Sequence, residues 1–158
     1  MWLASFDIGM KNFAFVILNI KNENGMNEEI PDFDVVHFEN LDITNNKKEY
    51  EIRNLIDVLD SYKTLWDDCK VFLVEQQMQS RHATNIKALK ISQHVLTYFT
   101  IHYKNTKEII EYKSYYKTQV FNAPKMNKPQ RKKWSVEKVR EILKKKSQED
   151  LLKGIKKN

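Results

Sequence analysis

The alternation of hydrophobic and polar positions predicts short strands at the start of the chain and helices between later strands. Five runs have a strand-like pattern, and three of them occur before residue 40. Two longer stretches, residues 46–66 and 84–103, repeat apolar side chains every three or four positions, as amphipathic helices do. The five predicted strands are residues 3–9, 13–20, 33–38, 70–75 and 108–112.

The C-terminal third has a different pattern, with proline-containing polar sequence followed by one more helical repeat. Residues 113–131 include Pro124 and Pro129 and predict an ordered loop. A last helix is predicted from about Ser135 to Lys146, with Ser135 or Trp134 near its cap. The side chains that this helix is expected to bury are Val136, Val139, Ile142 and Leu143.

This order of elements predicts an α/β fold of the ribonuclease-H-like type. A helix between two strands normally makes a right-handed crossover that leaves the strands parallel. We therefore expect a five-stranded mixed sheet, made of a three-stranded meander and βαβ units and flanked by helices. In this topology the first and fourth strands are neighbours, so Asp7 and Glu75 would face each other. With 158 residues, one domain over residues 1–158 is expected.

Composition indicates a soluble intracellular protein with a basic C-terminal surface. The single cysteine, Cys69, excludes an intramolecular disulfide, and no apolar run approaches the ~20 residues of a membrane span. Residues 111–158 contain 15 Lys and Arg against 5 Asp and Glu, whereas residues 1–110 contain 12 against 16. Nucleic acid is a common partner of such a segment, and a solvated helix face is the alternative.

Asp7 is the first candidate for chemistry because it interrupts an apolar run. A charged carboxylate in a strand is costly to bury unless a cation or hydrogen-bond donors satisfy it. With Glu75 beside it, Mg²⁺ or Mn²⁺ could be held for phosphodiester hydrolysis. The alternative is an aspartate that caps the turn near Gly9. Asp-x-Gly-x-Lys also occurs in actin-like ATPases, but the second glycine-rich phosphate loop of those proteins is missing.

Residues 6–12 with Ala14, followed by residues 74–77, resemble the first two catalytic motifs of the RuvC-like resolvases. Glu75-Gln76-Gln77-Met78 and the residues that follow, with the basic stretch at Arg131-Lys132-Lys133, are most similar to the Holliday junction resolvases of poxviruses and other large DNA viruses. The likeness extends from Leu3 to about Lys146.

This resemblance implies a metal-dependent endonuclease that nicks four-way junction DNA in pairs. It also implies a homodimer, in host cytoplasm or nucleus if viral, with Asp7 and Glu75 as metal ligands and Lys133 and Lys117 near the cleaved strand. Cations interleaved with Trp134, Tyr115 and Tyr116 suit a distorted strand, although these rings could equally be core. The residues expected to bind DNA are Lys11, Arg81, Lys128, Arg131, Lys132 and Lys133.

One family feature has no counterpart in this sequence, namely the further aspartates on a final helix that complete the metal shell. The acidic pair downstream is Glu149-Asp150. Three explanations remain open: the sequence stops before that helix, Glu149 and Asp150 substitute for it, or the chain binds junctions without cutting them. An RNA nuclease of the same superfamily is a further alternative.

Overall fold

The computed structural model describes residues 1–21, 31–44, 51–77, 85–148 and 150–151. Its strands are β1 (Trp2–Asp7), β2 (Phe13–Ile20), β3 (Phe33–Leu41), β4 (Cys69–Gln76) and β5 (Glu108–Lys113). Its helices are α1 (Glu51–Ser61), α2 (Lys63–Asp68), α3 (Ile86–Tyr103), α4 (Tyr116–Gln119) and α5 (Lys128–Lys145).

The five strands form one mixed sheet in the order β3-β2-β1-β4-β5. β1, β2 and β3 make an antiparallel meander, and β4 is parallel both to β1 and to β5. This order puts the first and fourth strands side by side, so the predicted fold class is confirmed. The carboxyl ends of β1, β3, β4 and β5 lie at the same edge of the sheet, because β1 and β3 both run antiparallel to β2.

The chain divides into two compact units, residues 1–114 and residues 115–158, which we call the sheet unit and the C-terminal unit. The prediction of a single domain over residues 1–158 stays a prediction.

The core of the sheet unit is rich in aromatic rings. Phe72 and Phe99 stack with ring centroids 4.1 Å apart, and Phe6 lies 5.1 Å from Phe99. Trp66 is fully buried, and its indole nitrogen donates to the carbonyl of Leu59 at 2.7 Å. Burial of rings of this size supplies much of the hydrophobic stabilisation of a small domain.

Helices α1, α2 and α3 carry the apolar stripes predicted for them, with one interruption. The helical stretch predicted to reach Trp66 breaks at Tyr62 into α1 and α2, and its predicted start at residue 46 lies outside the described residues. α3 begins after Asn85, whose side chain accepts from the amide of Ala88. Its Tyr98 and Tyr103 hydroxyls donate to Asp60 and Asp67 at 2.7 and 2.8 Å.

For the C-terminal third, the predicted helix start was wrong, and the predicted loop is right for residues 120–127 but is interrupted by helices. Residues 113–131 contain the short helix α4 and the first turn of α5, which begins at Lys128 rather than Ser135. Asn127 caps α5 by accepting from the amide of Gln130 at 3.0 Å, and the Gln130 side chain accepts from the amide of Asn127 at 3.0 Å. Pro129 lies in the first turn, where a missing amide proton costs nothing, so it starts this helix rather than interrupting it.

The predicted burial of the last helix was also wrong for two of its residues. Leu143 is buried and Ile142 is partly buried, but Val136 and Val139 are 42% and 47% exposed. Across the described ranges, we find no helix with the length and apolar character needed to cross a membrane.

Candidate active site

Asp7 and Glu75 occupy adjacent positions on neighbouring parallel strands. Phe6 of β1 pairs with Val74 of β4, and the two carboxylates come directly after these partners. Since Phe6 and Val74 are fully buried on the core side, the alternation of strand side chains puts Asp7 and Glu75 together on the opposite face. Neighbouring strands are about 4.8 Å apart. The topology therefore brings together the two acidic residues that the sequence singles out.

The environment of Asp7 differs from the one that the sequence suggests. It is the last residue of β1 and is exposed, whereas Glu75 is partly buried. The penalty for burying a charge in a strand therefore does not apply to Asp7. Its position makes Asp7 accessible, because an exposed carboxylate at a strand end can bind a solvated metal ion that also contacts a phosphate.

The turn after Asp7 is held tightly in place. A β-carbon on Gly9 would lie 2.9 Å from the carbonyl oxygen of Asn12, so the turn requires glycine there. The carbonyl of Met10 accepts from the amide of Ile43 at 2.9 Å, which ties this turn to the end of β3. A tight turn that needs glycine therefore joins β1 to β2 directly after Asp7.

The end of β4 is held by side-chain amides and by the edge strand. Glu75 pairs in register with Tyr112 of β5. The side-chain nitrogen of Gln77 donates to the backbone carbonyl of Glu75 at 3.2 Å, and that of Gln76 donates to Glu111 at 3.4 Å. Gln77 thus holds the backbone at Glu75, and Gln76 links the end of β4 to a side chain of β5.

A third acidic residue at this edge, Asp42, was missed by the sequence analysis. It directly follows β3, and its Oδ1 accepts from the amide of Thr44 at 2.8 Å and from the Thr44 hydroxyl at 2.5 Å. These two hydrogen bonds, with a smaller effect from the charge of Lys11, lower the pKa of Asp42. The Asp-x-Thr spacing could have revealed the turn. Lys11 itself is exposed, and its contact with DNA stays a prediction.

Asp7 and Glu75 suit a divalent ion, but two carboxylates do not fill its coordination shell. Among the described residues, no group of three or more His, Cys, Asp or Glu is close enough to hold a metal. Mg²⁺ commonly takes one or two protein carboxylates and fills its shell with water and phosphate oxygens, which Asp7 and Glu75 fit. Of the two proposed substitutes, Glu149 lies outside the described residues, and Asp150 is exposed in the C-terminal unit.

The basic residues that the sequence singles out are exposed where they are described. Lys117 lies on α4, and residues 128–133 of α5 carry four of the other cations. The ammonium of Lys133 lies 3.8 Å from Glu137, one turn further along the helix. Arg81 lies outside the described residues. The four cations in residues 128–133 are Lys128, Arg131, Lys132 and Lys133.

The three aromatic residues considered for binding a distorted DNA strand differ in their solvent exposure. Trp134 is partly buried and packs on Phe121 with centroids 6.5 Å apart, while the Lys138 ammonium lies 5.4 Å from the centre of the Phe121 ring. Tyr115 and Tyr116 are exposed. Trp134 is therefore part of the packing of the C-terminal unit, and the two tyrosines are accessible.

The sheet order and the position of its paired carboxylates define a ribonuclease-H-like fold, and comparisons with known proteins agree. The fowlpox virus Holliday junction resolvase superimposes with a TM-score of 0.61 at 18% identity, covering 98% of this chain and 85% of the other. Thermus thermophilus RuvC gives a TM-score of 0.55 at 12% identity, covering 75% and 68%. At these low identities, the superpositions show a shared fold alone.

Residues 1–158 match the family described as "Poxvirus A22 protein", and the chain belongs to that family. It is 32% identical to uncharacterized protein 97L of Invertebrate iridescent virus 3, over 89% of this chain and 85% of that protein. It is also 33% identical to uncharacterized protein 170L of Invertebrate iridescent virus 6, over 79% of this chain and 60% of that protein. The resemblance to proteins of poxviruses and other large DNA viruses is confirmed.

Proposed function

We propose that this protein is a metal-dependent, structure-specific endonuclease that resolves Holliday junctions and other branched DNA by paired phosphodiester cleavage. The observation that carries the proposal is the Asp7 and Glu75 pair, which lies on adjacent parallel strands in a member of the poxvirus A22 family. Support also comes from the shared fold of the fowlpox virus resolvase, which has been crystallised with its substrate Holliday junction DNA.

The chain's own residues perform three tasks in this mechanism. Asp7 and Glu75 supply two carboxylates on one face of the sheet, and the turn at Gly9 and the side chain of Gln77 hold their backbones. Asp7 and Glu75 would hold Mg²⁺ or Mn²⁺, and the bound ion would supply the Lewis acidity that phosphodiester hydrolysis needs. Lys117 and Lys133 are exposed cations of the C-terminal unit that would neutralise DNA phosphates.

The first turns of α5 are proposed to bind the DNA backbone. Four cations lie in residues 128–133, at the end of a helix where the macrodipole favours negative charge instead, and the first turn has no acidic residue. A cation in the first turn of a helix is unfavourable by about 0.3–1 kcal/mol, and a nearby polyanion would offset this cost.

Paired cleavage requires two active sites, so we propose a homodimer with two-fold symmetry. The apolar face of α3, an obvious candidate for the dimer contact, is already used within the protomer: Ile91, Val95 and Phe99 are buried in its core. Ile86 and Ile101 remain exposed on this helix. Light scattering should give about twice the 18.9 kDa protomer mass; the protomer mass, measured with and without junction DNA, would reject the dimer.

A second candidate function is junction binding without cleavage. It is favoured because, within the described ranges, no group of three or more His, Cys, Asp or Glu is close enough to hold a metal. A binder of this kind would shift a four-way junction in a gel and leave its strands intact with Mg²⁺ or Mn²⁺ present.

The deciding experiment measures nicking of a labelled four-way junction by the wild-type chain and by Asp7→Asn and Glu75→Gln. We expect each variant to lose more than about 100-fold in cleavage, because even residues that only support metal ligands contribute about 10- to 100-fold. Junction affinity should stay the same or rise, since one repulsive charge is removed. Near-normal cleavage by either variant would remove that residue from the mechanism.

Asp42→Asn is the matched control for this experiment. It removes a carboxylate from the same edge of the sheet, but an asparagine oxygen can still accept from Thr44. We expect its cleavage to remain close to that of the wild type. If Asp42→Asn were as damaging as Asp7→Asn, the effect would reflect general charge at this edge rather than a specific pair.

A further inference from the structure

Tyr115 and Tyr116 form an exposed aromatic pair in the C-terminal unit. Their rings are 42% and 47% exposed, with centroids 4.6 Å apart and planes inclined at 52°. The other large rings of this unit, Phe121 and Trp134, are partly buried and pack on each other. The tyrosine pair therefore presents two accessible rings at a place where the neighbouring aromatics serve the packing.

The pair is held in position by hydrogen bonds. The two side chains share a hydrogen bond, which raises the pKa of Tyr116. The carbonyl of Tyr115 accepts from the amides of Thr118 and Gln119, both at 3.1 Å, and from the Thr118 hydroxyl at 3.1 Å. These bonds fix the backbone at Tyr115 and link the two side chains, and a preorganised ring loses less conformational entropy when a flat ligand stacks on it than a mobile ring does.

The charge around the pair favours a polyanion as the ligand. Residues 112–136 contain seven Lys and Arg and no Asp or Glu. Lys113 and Lys117 flank the pair in the sequence, and Lys113 ends β5 beside Gln76, one position beyond Glu75. A purely apolar partner would gain nothing from this charge, whereas a nucleic acid offers phosphates for the cations and bases for the rings.

We propose that Tyr115 and Tyr116 form a stacking platform for unpaired or distorted nucleobases at the branch point of bound DNA. This inference rests on the proposed function, since it assumes that branched DNA is the ligand. Bases at a branch point can lose part of their stacking, and an aromatic side chain can replace it without reading the sequence. The pair would then distinguish a junction from a continuous duplex, whose bases are already stacked.

The test compares affinities for a four-way junction and for a duplex of equal length, using the full chain in EDTA so that cleavage does not interfere. Tyr115→Ala and Tyr116→Ala should each weaken junction binding by about 5- to 100-fold and leave duplex binding unchanged, because stacking on one ring is worth that much. The double variant Tyr115→Phe with Tyr116→Phe should keep junction binding near the wild-type value, because it keeps both rings.

Val120→Ala is the matched control, since Val120 is 62% exposed in the same unit and has no ring. A 2-aminopurine base at the branch point provides a second measurement: its fluorescence should change on binding wild-type protein and remain unchanged with the double alanine variant. The same base placed within an arm should respond to neither protein.

Several results would overturn the proposal. Wild-type junction affinity in both alanine variants, equal losses on junction and duplex, or no fluorescence change with wild-type protein would each do so. Loss of dimerisation by the double alanine variant, with junction selectivity kept, would assign the pair to a protein interface instead. A wild-type chain that shows ring-dependent junction selectivity but no nicking with Mg²⁺ or Mn²⁺ would refute the proposed catalysis alone.

Discussion

The sheet unit and the C-terminal unit differ in how far their apolar side chains are buried. Twenty of the 21 buried core hydrophobics of the described residues belong to the sheet unit, and Leu143 is the one from the C-terminal unit. Among the residues that the structure describes, the C-terminal unit nevertheless has six of the 12 exposed large hydrophobics. Burial thus organises the first unit, whereas the second owes more to local features such as the capping box of α5.

The two units differ equally in charge. Acidic residues outnumber basic ones over residues 1–110, and basic residues outnumber acidic ones threefold over residues 111–158. Candidate metal ligands require rigid placement, which a packed sheet provides, whereas backbone contacts with DNA need accessible charge. The proposed catalysis and the proposed DNA binding therefore depend on different kinds of interaction, and substitutions can affect one without the other.

The largest difference between the two units should appear when an aromatic ring is removed from each. Phe99→Ala removes a fully buried ring that stacks on Phe72, and we expect a loss of about 3–5 kcal/mol in the free energy of unfolding. Phe121→Ala, the matched change in the C-terminal unit, should cost well under half as much because that ring is only partly buried. Urea denaturation followed by circular dichroism measures both. Equal losses would show that the two units depend on packing to the same degree.

Charge reversal should also affect the two units differently, although the difference should be smaller than that for the core substitutions. Lys132→Glu with Lys133→Glu should flatten the dependence of log affinity on log salt by about two units, because each phosphate contact contributes about one. Lys63→Glu with Lys104→Glu makes the same change of net charge at exposed positions of the sheet unit and should leave the slope nearly unchanged. Junction binding measured at several salt concentrations decides this, and equal slopes for the two double variants would remove α5 from the DNA interface.

The smallest expected effect concerns the cap of α5. Asn127→Ala removes the acceptor for the Gln130 amide and should destabilise the helix by about 1 kcal/mol. Asn127→Ser keeps an acceptor and should lose much less. Hydrogen exchange should show faster exchange confined to α5 amides in the alanine variant. Faster exchange throughout the sheet unit would mean that the two units unfold together.

Much of the fold, and the central pair of the candidate site, could be predicted from the sequence. Strands alternate apolar and polar residues, and helices repeat apolar residues every three or four positions. These local patterns show which side of each element is buried. The order of elements then required neighbouring first and fourth strands, which brought Asp7 and Glu75 together. The α5 start was also readable, since Asn127 and Gln130 have the spacing of a capping box, but Pro129 was taken as a breaker.

Other features were decided only by the tertiary structure. A hydrophobic pattern identifies the apolar side of a helix but not how much of that side is covered, so Val136 and Val139 were expected to be buried and are exposed. The exposure of Asp7 depends on where the pairing of β1 ends, and the tie between Ile43 and Met10 joins residues distant in sequence. Local sequence determines which side of each element is apolar, whereas solvent access at a given residue depends on elements packed from elsewhere in the chain, which no local pattern contains.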